Sequence, residues 1–117
     1  MTLRLPRRPV VLLQNLEAET TTNYKGLLSW EIPADCEGIL NEISLYTSRG
    51  NTSQWFVIIA DQEIVKDRKI HTTLTIPWAE LPLIAGTKVI IRARTTDGVA
   101  TDFDAYLSGE LRYLGKR

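Results

Sequence analysis

Hydrophobic and polar residues alternate with a period of two along most of this chain, in runs too short for helices. In Tyr24–Ile32, Leu28, Trp30 and Ile32 share one side while Ser29 and Glu31 take the other, the pattern of a half-buried strand that Pro33 ends. The turn formers of Pro33–Gly38 lead to Ile39–Thr47, where Ile39, Ile43 and Leu45 oppose Glu42, Ser44 and Tyr46. Ser48–Ser53 is a strong turn signal, and it feeds Gln54–Ala60 (QWFVIIA), the most apolar segment. That segment predicts a central strand with Trp55, Val57 and Ile59 on one face and Phe56, Ile58 and Ala60 on the other. Both faces therefore need cover.

Asp61–Glu63 predicts a tight turn with Ile64 and Val65 completing a hairpin, and Lys66–Lys69 a charged loop. His71–Ile76 alternates again, and Trp78–Leu83 predicts a short helical turn before Pro82. Lys88–Thr95 and Ala105–Leu114 supply the last strands, separated by an Asp97-Gly98 turn signal; Gly109 marks a bulge or a close backbone approach. At the start, two prolines and three arginines in residues 1–9 predict an extended basic arm ahead of a single domain over 10–117. Val10–Gln14 then predicts a short strand and Glu17–Asn23 a polar loop or a solvated edge. Seven to nine short strands punctuated by turns, with almost no helix, predict an antiparallel sandwich or barrel.

At 117 residues the chain has the length of one domain able to build a core. Its fourteen basic and fourteen acidic residues cancel, which removes the net field that would hold a nucleic acid. Both ends are basic, with Arg4, Arg7 and Arg8 at one and Lys116 and Arg117 at the other, which suits an acidic protein surface or simply solvated termini. The single cysteine, Cys36, excludes an intrachain disulfide and fits a reducing cytoplasm. The VVLL run at Val10–Leu13 is shorter than a signal-peptide core, and no run reaches the length of a membrane span, so a soluble, non-exported chain without membrane contact is expected.

Candidate chemistry is sparse. His71 is the only histidine, so nucleophilic catalysis would need it to meet Cys36. Asp61 with Glu63, or Glu31 with Glu42, are the carboxylate pairs available for acid–base work, but alternation places them on solvent faces or turns. Asp97, Asp102 and Asp104 crowd one loop in the manner of a calcium site, without the spacing of an EF-hand loop. Trp78, following Pro77, is the best exposed ring for stacking on a sugar. No glycine-rich phosphate loop occurs, and neither an enzyme nor a cofactor is expected. What remains is the second apolar face of the central strand: Phe56 and Ile58 are expected to meet another subunit, or to be roofed by Trp78–Leu83.

The succession WEIP, ILNEISLYT, SRGNTSQWFVIIADQEI, LPLIAGTKVIIRARTTDG and YLSGELRYL, spanning residues 24–114, resembles the small jelly-roll domains of tailed-phage virion proteins, in particular capsid decoration or cement proteins. The resemblance implies an all-β, antiparallel jelly-roll-like β-sandwich of about eight short strands. It also implies a homo-oligomer, usually a trimer, that binds the major capsid protein or another virion protein, with Arg4, Arg7 and Arg8 as an N-terminal contact. Its place would be the virion, after assembly in a host cytoplasm. The alternative it leaves is a carbohydrate-binding or receptor-binding tail or fibre domain acting through Trp78.

Overall fold

The structure, a computed structural model, describes residues 7–69 and 73–114. Arg4 and His71, singled out above, lie outside the described residues. Eight strands form: β1 (Arg7–Glu19), β2 (Lys25–Glu31), β3 (Cys36–Thr47), β4 (Ser53–Ile59), β5 (Gln62–Arg68), β6 (Thr73–Leu83), β7 (Lys88–Thr95) and β8 (Thr101–Tyr113). They make two four-stranded sheets of order β1-β8-β3-β6 and β2-β7-β4-β5.

The order has a simple origin. β1 pairs with β8, β2 with β7, β3 with β6 and β4 with β5, all antiparallel, so the chain is one long hairpin whose two arms are rolled up together. The added pairings of β3 with β8 and β4 with β7 complete each sheet. This is the eight-stranded jelly roll, a fold shared by viral capsid proteins and lectins. Only β4 and β5 are both consecutive in sequence and paired; there Ala60 and Asp61 carry φ of 53° and 62°, the positive values that a two-residue hairpin turn requires.

The core follows from the alternation. Trp55, Val57, Val89 and Ile91 of the second sheet face Ile43, Leu45, Phe103, Ala105 and Leu107 of the first, all fully buried. The Trp55 and Phe103 rings meet edge-on with centroids 5.4 Å apart, a geometry worth about 0.5–1.5 kcal/mol beyond burial alone. Trp30 packs over Gly109, and β3 carries its bulge directly opposite, between Leu40 and Glu42. The expected close approach at Gly109 is thus present, while the bulge belongs to the neighbouring strand.

Four expectations are corrected. Arg7, Arg8 and Pro9 pair with Arg112, Leu111 and Glu110, so this part of the expected arm is the start of β1. That strand then takes in Glu17–Glu19 of the segment expected as loop or solvated edge, because β8 supplies a partner that local sequence does not show, while residues 20–23 form the expected loop. Trp78–Leu83 forms no helical turn but continues β6 through Pro77 and Pro82. Proline is tolerated there because β6 is a sheet edge, where one row of N–H groups has no strand to reach among the described residues. Lys66–Arg68, expected as loop, completes β5.

Candidate assembly surfaces

Alternation along β4 turns Phe56 and Ile58 to the outside of the second sheet, where both are half-buried. Their cover comes from this chain. Tyr24, just before β2, lies across β7 and β4; its ring meets Phe56 edge-on at 5.3 Å, and Lys66 Nζ stands 5.8 Å from the other ring. The Arg94 guanidinium stacks 4.3 Å from the Tyr24 centroid and donates to Gln54 Oε1 at 2.8 and 2.6 Å and to Asp67 Oδ1 at 3.3 Å. The Tyr24 hydroxyl donates to Asp67 Oδ1, tying the strip to β5. The roof is therefore this aromatic and ionic strip, and not Trp78–Leu83, which belongs to the other sheet.

Burial first, then the hydrogen bond to Asp67, pushes the Tyr24 phenol up to about 12. Since the folded value exceeds the ordinary 10.0, the stability tied to this proton is complete below pH 10 and is lost as pH rises through about 12. A spectrophotometric titration is expected to show a tyrosinate step near pH 12 that Tyr24→Phe removes; an unchanged titration curve in the variant would contradict the assignment.

The first sheet presents a different surface. On its outer face Leu13 lies opposite Tyr106, which lies opposite Ser44, and Val11 lies opposite Ser108. Val11 and Leu13 are 63% and 66% exposed, and Tyr46 and Tyr106 extend the patch towards β3. Arg7 closes one end through Glu110 at 3.3 Å and Glu80 at 3.5 Å. Arg7 and Arg8, with Cys36, Leu111 and Tyr113, line a cavity of about 270 Å³ at the same end. Sequence reasoning singled out the arginines and missed the apolar pair beside them. The signal was available: VVLL, like QWFVIIA, is an unbroken apolar run that must put side chains on both faces of a strand.

The remaining candidates are dispersed. Cys36 is buried, and burial together with the hydrogen bond to Asp35 pushes its thiol up, away from the thiolate a nucleophile needs. Glu31 and Glu42 sit on the outer faces of opposite sheets, so they cannot act on one substrate; Asp61 occupies the hairpin turn and Glu63 pairs with Lys66. The Asp97 carboxylate accepts from the Val99 N–H at 3.1 Å and from both Arg49 nitrogens at 3.2 and 3.0 Å, which together hold it below the usual carboxylate range. Asp102 accepts from the Ala18 N–H at 2.8 Å, and Asp104 stands between Asn15 and Tyr46. Two of the three acids thus tie loops together, and among the described residues no three potential ligands converge on a metal position. Trp78 is half-buried on the inward side of β6, packed against the core.

No protein-family model matches the chain, and no curated protein matches it. Solved structures give fold-level likenesses. A chain in the acidic stable capsid structure of Helicobacter pylori bacteriophage KHP30 aligns over 92% of this chain and all of its own length, with 14% identity and a TM-score of 0.48. A chain of the extra small virus particle of the prawn Macrobrachium rosenbergii aligns over 95% of this chain and 81% of its own, with 13% identity and a TM-score of 0.48. A chain of the cyanophage Pam1 capsid asymmetric unit aligns over 97% and 94%, with 10% identity and a TM-score of 0.47.

Proposed function

We propose that this chain is a virion structural protein of the capsid decoration or cement kind, acting by protein–protein contact and not by catalysis. The observation that carries the reading is the exposed apolar pair Val11 and Leu13 on a thirteen-residue edge strand of a jelly roll. Contiguous apolar surface on an edge strand is a place where another chain adds. The Phe56 and Ile58 surface, roofed by Tyr24 and Arg94, is the lesser contact, and Arg7 and Arg8 flank the greater one. A glycan platform at Trp78 has less support, because the ring is turned towards the core. The protein is made in the host cytoplasm and held in the virion by shell protein.

Quantitative mass spectrometry of purified particles tests this. Hundreds of copies per particle are expected, and Leu13→Lys is expected to lower incorporation at least about tenfold, the equivalent of ~1.4 kcal/mol of contact energy. Because Leu13 is exposed, the variant should keep its stability within about 0.5 kcal/mol. A few copies per particle, or full incorporation of the variant, would sink the decoration reading.

A further inference from the structure

We infer that the free edge of β1 pairs with β1 of a second copy, joining two first sheets into one continuous eight-stranded sheet across a two-fold axis. The inference rests on the reading of β1 as an assembly surface and names its partner.

The four sheet edges are unequal. β6 carries Pro77, Pro82 and an irregularity in which Glu80 has φ of 55°. β5 carries Lys66, Asp67 and Arg68 and two register shifts. β2 has seven residues and a shift after Gly26. Prolines, charges, bulges and shortness are the devices that keep a sheet edge from pairing. β1 lacks them where it matters: from Val10 to Leu16 it is uncharged, free of proline and in regular register with β8. Its bulge comes only after Leu16, where Ala18 has φ of 49°.

The charges at its two ends identify the partner. β1 opens with Arg7 and Arg8 and closes with Glu17 and Glu19 around an apolar middle. Such a strand is complementary to itself run antiparallel, and a two-fold axis satisfies both ends at once. With Leu12 on the axis, Val11 faces Leu13 of a second copy and Arg7 faces Glu17 of a second copy. Arg7, Val11 and Leu13 lie on the outer face, and Glu17 is exposed one residue past the last regular pair, at the strand end that Arg7 of a second copy would reach. A different partner would need to reproduce this charge order. The contact closes at two copies, where the family resemblance implied three.

Light scattering on the wild-type chain at micromolar concentration is expected to give twice the 13.2 kDa chain mass, and Leu13→Lys to return it to one chain mass while circular dichroism shows it still folded, with a melt that no longer depends on protein concentration. Register is read with Val11→Cys and Leu13→Cys, each made in a Cys36→Ser chain. Directly opposed antiparallel residues lie about 4.5–5.5 Å apart, within disulfide reach, whereas either cysteine meets its own copy about 8 Å away. A cross-linked dimer is therefore expected from the mixture and from neither variant alone. A wild-type monomer, a trimer, a dimer that survives Leu13→Lys, or cross-linking of either variant alone would overturn the inference. A monomer in solution that is nonetheless abundant on particles would overturn this pairing and leave the decoration role standing.

Discussion

Trp55→Glu is expected to leave the domain unfolded, whereas Phe56→Glu, one residue along the same strand, is expected to leave it folded. Trp55 has no exposed surface and stands edge-on to Phe103 between the sheets. Truncating a buried tryptophan costs about 3–5 kcal/mol, and an unpaired carboxylate in that position adds its desolvation. Against a total stability of about 5–15 kcal/mol, the sum removes most or all of the folded population. Phe56 is half-buried on the outer face, where a carboxylate would lie near water and beside Lys66 and Arg92. The loss there is the Tyr24 contact, about 1–2 kcal/mol. Urea denaturation followed by circular dichroism separates the two, and equal unfolding by both substitutions would mean that the faces of β4 are wrongly assigned.

The second large effect is expected at Gly109. A Cβ on this residue would stand 2.4 Å from the Ile39 carbonyl oxygen and 3.2 Å from Trp30 Cη2. The nearer obstacle is backbone in the bulged stretch of β3, so it cannot be relieved by a rotamer change, and relief must come from separating β3 and β8. Overpacking of this kind costs about 1–3 kcal/mol and occasionally more. We expect Gly109→Ala to lie near ~3 kcal/mol and to lower the melting temperature by roughly 10 °C. Gly26→Ala is the control, since a Cβ there meets nothing within 4 Å. A variant at Gly109 as stable as the control would show that β3 yields more readily than this packing implies.

Much of the architecture was legible because a two-residue period is a local property. β2, β3, β4 and β7, and the hairpin of β4 with β5, follow from alternation and turn residues alone. The full lengths of β1 and β6 did not, for a common reason. Glu17–Glu19 is polar and Pro77–Pro82 carries two prolines, and each is held extended only because a distant strand, β8 or β3, lies alongside. The candidate surface was half legible. The arginines announced themselves by charge, but Val11 and Leu13 look like core residues until β1 is known to be an edge with an uncovered outer face.

The same division holds for QWFVIIA. By itself the sequence determined that this segment is a strand, that both its faces are apolar and that neither carries catalytic groups. Only the tertiary structure decided that Trp55 faces the core and that Tyr24, just before β2, and Arg94 of β7 cover Phe56. It likewise decided that, among the described residues, Val11 and Leu13 of β1 are an exposed apolar pair. Alternation specifies that two faces differ or match, but which one is buried depends on what packs against it, and in a jelly roll that partner comes from the far end of the chain.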